Sequence, residues 1–88
     1  MNSQQISDAV YAYVKSRSDF TAPYGVLQSE HVNQKGTKYK SVTFGCARSL
    51  DATVEIYNRN FMILRCSNLA ADRVYKNYDD LMVAIKEL

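Results

Sequence analysis

The chain has no tryptophan, one proline, one histidine, two cysteines and three glycines among its 88 residues. Each scarcity excludes something. So few glycines and prolines rule out a collagen repeat and a Pro/Gly-rich linker. Two cysteines are too few for a disulfide-knotted miniprotein, and no C-x-x-C accompanies them. Cys46 and Cys66 fit thiols kept reduced and buried. With a single histidine, His31, the ligands for a zinc site within one chain are lacking. The isolated glycines at 25, 36 and 45 form no phosphate loop of the G-x-x-x-x-G-K kind. No apolar run approaches the roughly 18 residues of a membrane-spanning helix. Met1-Asn2-Ser3-Gln4-Gln5 lacks the basic start and apolar stretch of a signal peptide, so a cytoplasmic location without membrane contact is expected.

What is present is a globular composition, 47% hydrophobic and 23% charged, at a length that suits one domain over residues 1–88. The net charge is only +2, but it is unevenly spread. Residues 35–76 carry eight Lys and Arg against three Asp and Glu, whereas residues 77–88 carry one against three. A central basic excess fits a solvated surface, a polyanion or an acidic protein surface.

Two helices and four strands are predicted, three of the strands sharply patterned. Ile6, Val10, Tyr13, Val14 and Arg17 recur at three- and four-residue spacing, which predicts a helix over Ser3–Arg17 with Ser3 as N-cap, ended by Thr21-Ala22-Pro23. Period-two alternation marks strands at Lys40–Cys46, Ala52–Tyr57 and Phe61–Cys66, and a less patterned strand at Gly25–Val32. Residues 67–76 read as a loop, with a short edge strand around Val74 and Tyr75 left open. Asn77 caps a final helix, with Asp79 and Asp80 at its positive end, Lys86 at its negative end and Leu81, Ala84, Ile85 and Leu88 as its stripe.

Turn chemistry sets an expected register. Asn33-Gln34-Lys35-Gly36 suits a type I turn with Gly36 left-handed, which puts Val26 opposite Phe44 and Glu30 opposite Lys40. A loop at Asn58-Arg59-Asn60 pairs Tyr57 with Phe61, Ile56 with Met62 and Val54 with Leu64. A loop centred on Ser49 pairs Phe44 with Val54 and Val42 with Ile56. These choices gather Val26, Val42, Phe44, Cys46, Ala52, Val54, Ile56, Met62, Leu64 and Cys66 on one face. The expected fold is α+β: a two-layer sandwich of order α-β-β-β-β-α, with a four-stranded antiparallel sheet and both helices on its apolar face.

The opposite face then carries Tyr39, Ser41, Thr43, Thr53, Glu55, Tyr57, Phe61, Ile63 and Arg65. With Lys38 and Arg59 at the rim, Tyr39, Tyr57, Phe61, Ile63 and Arg65 are the candidate binding residues. Catalytic chemistry finds no support. In this register His31 faces Tyr39 and lies about 23 Å along the strand from Cys46, too far for a nucleophile–base pair. Cys46 and Cys66 should sit about 10 Å apart, beyond disulfide reach. Asp51 with Glu55, and Asp79 with Asp80, are adequately explained as strand-start and capping residues.

Three resemblances are worth stating. The helix–sheet–helix order resembles the double-stranded-RNA-binding domain in topology only; where that family places phosphate-gripping lysines, this chain has Asn77-Tyr78-Asp79-Asp80. An RNA-recognition sheet could use Tyr39, Tyr57 and Phe61 to stack bases, but Phe44-Gly45-Cys46 does not match its consensus. In size and architecture the chain is similar to the compact inhibitors encoded by phages and mobile elements, such as anti-CRISPR proteins. The sequence thus leads to a small non-catalytic protein without cofactor or metal, binding a protein or nucleoprotein partner. Single-stranded nucleic-acid binding and a homodimer that buries the sheet face are the alternatives.

Overall fold

The computed structural model describes residues 1–17, 25–45, 51–67 and 71–88. In chain order these form α1 (Ser3–Ser16), β1 (Val26–Val32), β2 (Lys38–Gly45), β3 (Asp51–Asn58), β4 (Phe61–Cys66), β5 (Arg73–Tyr75) and α2 (Tyr78–Lys86). The strands make one antiparallel sheet in the order β1-β2-β3-β4-β5, an uninterrupted meander. The α+β class and the two terminal helices match expectation. The sheet has five strands rather than four, because Arg73–Tyr75 pairs with β4 through Met62↔Tyr75, Ile63↔Val74 and Leu64↔Arg73. This is the short edge strand left open around Val74 and Tyr75; three residues are too few to display a period of two, so only its pairing decides it.

α1 starts one residue earlier than its composition suggests. Asn2, not Ser3, is the N-cap: its Oδ1 accepts from the Gln5 amide at 2.9 Å, and the Gln5 side chain accepts from the Asn2 amide at 2.9 Å. This reciprocal pair satisfies two otherwise orphaned amides of the first turn. The helix stops at Ser16, and Arg17 is already extended; the proposed stop at Pro23 lies outside the described residues. Ser3 is released for another task, described below. α2 is capped as expected, by Asn77 Oδ1 accepting from the Asp80 amide at 2.8 Å.

The turns explain which register predictions hold. In the β1–β2 hairpin Asn33 Oδ1 accepts from the amides of Lys35 and Thr37, and Gly36 takes φ +82°. That left-handed residue closes the hairpin, and Val26↔Phe44 and Glu30↔Lys40 follow as expected. The β2–β3 pairing differs by two residues: Phe44 faces Ala52, Val42 faces Val54 and Lys40 faces Ile56. A slip of two keeps every side chain on its own face, so the hydrophobic pattern cannot detect it. Cys46 and Ser49 lie outside the described residues, and with them the expected Cys46–Cys66 spacing.

The β3–β4 turn differs as well. Asn58 Oδ1 accepts from the Asn60 amide at 2.8 Å, so the turn contains only Arg59 and Asn60, and Asn58 itself faces Phe61. Ile56↔Met62, Val54↔Leu64 and Ala52↔Cys66 keep the expected register. The mismatch is absorbed by a bulge at Tyr57, which is not the direct partner of Phe61. The Ser3 hydroxyl donates to the Tyr57 carbonyl across 3.4 Å, bracing the bulge from the start of α1.

One apolar cluster unites the two layers. Ile6, Val10 and Val14 of α1 and Leu81, Met82 and Ile85 of α2 are buried against Val42, Phe44, Ala52, Val54, Ile56, Met62 and Leu64. Val26 and Cys66 pack at its margin, half buried. α1 lies over β1, β2 and β3, and α2 reaches β5. Buried Ser7 accepts from Gln28 Nε2 at 2.9 Å, and the same amide reaches Asp8 Oδ1 at 2.7 Å, tying α1 to β1. Among the described residues no buried side-chain polar atom lacks a partner.

Ile56→Ala would leave a cavity in this cluster and should cost about 2–5 kcal/mol. Val74→Ala on the outer face should cost within about 0.5 kcal/mol. Urea unfolding of both variants checks the ranking; equal costs would mean that the helices do not cover the inner face as described.

Candidate interaction surface: an aromatic row on the open sheet face

With both helices on the inner face, the outer face carries the odd-numbered residues of β1 to β3. Register puts Leu27, Ser29 and His31 beside Thr43, Ser41 and Tyr39, and these beside Thr53, Glu55 and Tyr57. Ile63 and Arg65 of β4 and Val74 of β5 complete it. Because the sheet is a meander, the β1–β2 and β3–β4 turns lie at the same end. The face is therefore divided into an aromatic end beside those turns and a polar end beside the other loops.

At the aromatic end four rings form a row across four strands. His31 and Tyr39 stack at 5.1 Å between centroids with 28° between planes; Tyr39 and Tyr57 stack at 4.8 Å and 25°. Phe61 meets Tyr57 edge-to-face at 5.4 Å and 80°. The Tyr39–Tyr57 separation equals the spacing of neighbouring strands. Rings lying flat side by side would collide at that distance, so these stand on edge, face against face across the strands. The bulge belongs to this arrangement, since it lets Tyr57 stack on Tyr39 while Phe61 approaches from the turn. His31 Nε2 also lies 2.9 Å from the hydroxyl of buried Ser41.

The polar end is organised by Glu55 and Arg65. Arg65 donates to both Glu55 oxygens, Nε to Oε2 at 3.0 Å and Nη2 to Oε1 at 3.2 Å, and its Nη1 also bonds Asp72. A planar guanidinium matches two carboxylate oxygens at once, which gives this pair directional strength. The Tyr57 hydroxyl donates to Glu55 Oε1 at 3.1 Å and so joins the two halves of the face. Thr43 and Thr53 hydroxyls lie 3.3 Å apart beside this network.

Burial, and then the hydrogen bond and negative charge of Glu55, raise the Tyr57 phenol above its ordinary value. The hydrogen bond to Glu55 likewise holds the Arg65 guanidinium more firmly protonated.

The candidate residues identified from sequence fall into three groups. Tyr39, Tyr57, Phe61 and Ile63 share the outer face, though Tyr39, Tyr57 and Ile63 are half buried by one another and their neighbours. Arg65 shares it too, but its charge is taken up by Glu55 and Asp72. Lys38 and Arg59 do not lie on the face itself. Lys38 has the parity of Lys40, on the helix side, where the two lysines line a shallow recess with Ser3 and Glu30 beneath Tyr39 and Tyr57. Arg59 occupies the exposed two-residue turn next to Phe61. Lys35 in the neighbouring turn is exposed as well. The aromatic end is thus flanked by Lys35, Lys38 and Arg59. Sequence places His31 opposite Tyr39 without marking it as a member of the row; the signal for it is an odd-position ring in register with Tyr39.

Among the described residues no group of three or more His, Cys, Asp or Glu is placed to hold a metal ion. None of their helices is long and apolar enough to cross a membrane. No protein family, curated protein or solved structure matches this chain.

The raised phenol gives a pH signature. An acid whose folded value exceeds its unfolded value contributes stability below the unfolded value, about 10 for tyrosine, and loses it as pH rises through the folded one. Stability should therefore fall above about pH 10, and fall less in Tyr57→Phe. Denaturation midpoints of both proteins across that range check the sign; identical slopes would remove the Tyr57 phenol as its cause.

Proposed function

We propose that this chain is a small non-catalytic binding protein that engages a protein surface through the aromatic end of its open sheet face. The observation that carries the reading is the upright row His31–Tyr39–Tyr57–Phe61. Stacked in advance, these rings lose little conformational freedom on binding, and they offer apolar edges together with polar tips. Phe61 and Ile63 extend the apolar area, and Lys35, Lys38 and Arg59 flank it. The matching partner surface is apolar at its centre with carboxylates toward the turn end. Such a layout gives a dry centre and a charged rim that steers encounter.

The same geometry favours protein over single-stranded nucleic acid. Base stacking needs an open ring face. Tyr39 has His31 on one side and Tyr57 on the other, and Tyr57 is enclosed between Tyr39 and Phe61. Among the described residues, the one cation on the rest of the face, Arg65, is engaged by Glu55 and Asp72, so it is not free to grip a phosphate backbone. Within the class of binding proteins, a phage-type inhibitor such as an anti-CRISPR is the role that size and two-layer architecture resemble. A nucleoprotein complex fits as partner through its protein surface.

Tyr57→Ala combined with Phe61→Ala should abolish capture of the native partner from host extract while far-ultraviolet circular dichroism stays unchanged. Lys35→Glu with Arg59→Glu should slow association and weaken its salt dependence without abolishing binding. Undiminished capture by the double aromatic variant would overturn the reading. So would binding of labelled single-stranded oligonucleotides that depends on Tyr39 and Phe61.

A further inference from the structure

The two edges of the sheet differ. β5 is three residues long and begins with Arg73, the kind of short, charged edge that resists further pairing. β1 is seven residues long, with no proline, lysine, arginine or bulge, and six of its seven residues are exposed. Its one charged residue, Glu30, pairs with Lys40 of β2 at 3.5 Å. Among the described residues no strand pairs with its outer side.

Backbone direction along this edge follows from the hairpin. The Asn33 amide donates to the Thr37 carbonyl at 2.9 Å, and the register is unbroken from there to Val26↔Phe44. Backbone groups alternate along an antiparallel strand, so those of Leu27, Ser29 and His31 point toward β2. Those of Val26, Gln28, Glu30 and Val32 point outward. Each of these four offers one N–H and one C=O with no strand to receive them.

We infer that the outer edge of β1 pairs antiparallel with β1 of a second copy of this chain, about a two-fold axis through Ser29, making one continuous sheet across the dimer. The segment Val-Leu-Gln-Ser-Glu-His-Val is self-complementary in that register. Val26 faces the partner's Val32, Gln28 faces the partner's Glu30, and Leu27 faces the partner's His31. All four outward residues pair with outward residues, so every outward N–H and C=O meets its complement. No like charges stand opposite each other, whereas a shift that paired Glu30 with itself would oppose two carboxylates. An isologous contact of this kind is the commonest route to closed dimers.

The second layer leaves room for it. α1 centres on β2, and β2 of the two copies would stand three strand spacings apart, about 14 Å. Packed helices need about 8–10 Å, so the two α1 helices do not collide. The axis is perpendicular to the sheet, so both aromatic rows face the same way and the dimer presents two equivalent binding ends. This pairing uses the edge, not the face, and stands or falls apart from the binding role given to the aromatic row.

The test is the mass of the full chain in solution by sedimentation and light scattering. The wild type should run at twice 10.0 kDa and dissociate on dilution. Ser29→Lys sets two ammonium groups across the axis on an exposed position and should run as a monomer with an unchanged circular dichroism spectrum. Glu30→Pro removes one outward N–H without touching the bonds to β2 and should do the same. Ser29→Cys should give a covalent dimer on treatment with diamide, where the wild type, carrying only Cys46 and Cys66, does not. A wild type that stays monomeric at its solubility limit would overturn the inference, including one that takes a foreign extended peptide on this edge. A dimer undiminished in a folded Ser29→Lys, or a Ser29→Cys that fails to cross-link, would overturn it equally.

Discussion

Burial of α1 against the first three strands is the contact on which the rest of the structure depends. Ile6, Val10 and Val14 are fully buried in one cluster with Val42, Val54 and Ile56 of the sheet. A strand has two faces that alternate residue by residue, so covering one set of positions leaves the other set exposed. Once Val42, Val54 and Ile56 are inside, Tyr39, Thr43, Thr53, Glu55 and Tyr57 are outside. The aromatic row is thus a consequence of where the helices lie. α1 also acts on the row directly, through the Ser3 hydroxyl on the carbonyl of the bulged Tyr57. α2 extends the same burial toward β4 and β5, where Leu81, Met82 and Ile85 fill the remaining apolar volume.

The outer face shows how a sheet keeps large apolar rings beside water without losing its shape. The rings shield one another, so much of their area is removed from solvent by neighbours within the sheet. The Glu55–Arg65–Asp72 network fastens β3, β4 and the approach to β5 at the opposite end. Its hydrogen bond to Tyr57 holds the last phenol of the stack. A row supported at the bulge, at the hydroxyl and by its neighbours on both sides presents a set shape, which is what a low-entropy contact surface requires. Lys35 and Arg59 at the turns stand beside this shape, where they can act at long range on an approaching acidic surface.

Several elements were legible because local chemistry and side-chain pattern agree. Asn33 and Gly36 specify one turn, and the β1–β2 register follows from it. Asn77 with Asp79 and Asp80 marks the start of α2 for the same reason. The errors occur where pattern is silent. The two-residue offset between β2 and β3 leaves Val42, Phe44, Ala52, Val54 and Ile56 on the same face, and hydrophobic alternation cannot distinguish it from the expected pairing. Ser3 and Asn2 are both good caps, and the reciprocal bond with Gln5 decides for Asn2. Tyr57 and Phe61 read as partners until the Asn58 side chain shortens the turn to two residues and moves Asn58 opposite Phe61.

What the sequence by itself determined is parity: which residues share a face, that two amphipathic helices exist to cover one of them, and that rings of tyrosine and phenylalanine fall on the other. Parity is local, a property of each strand's period, and needs no partner to be read. Only the tertiary structure decided pairing: the fifth strand, the bulge, the upright stacking of His31, Tyr39 and Tyr57, and the capture of Arg65 by two carboxylates. Those features arise between strands and their turns rather than within any one strand. Their energies depend on distances and directions across strands, and the one-dimensional order of residues does not contain them.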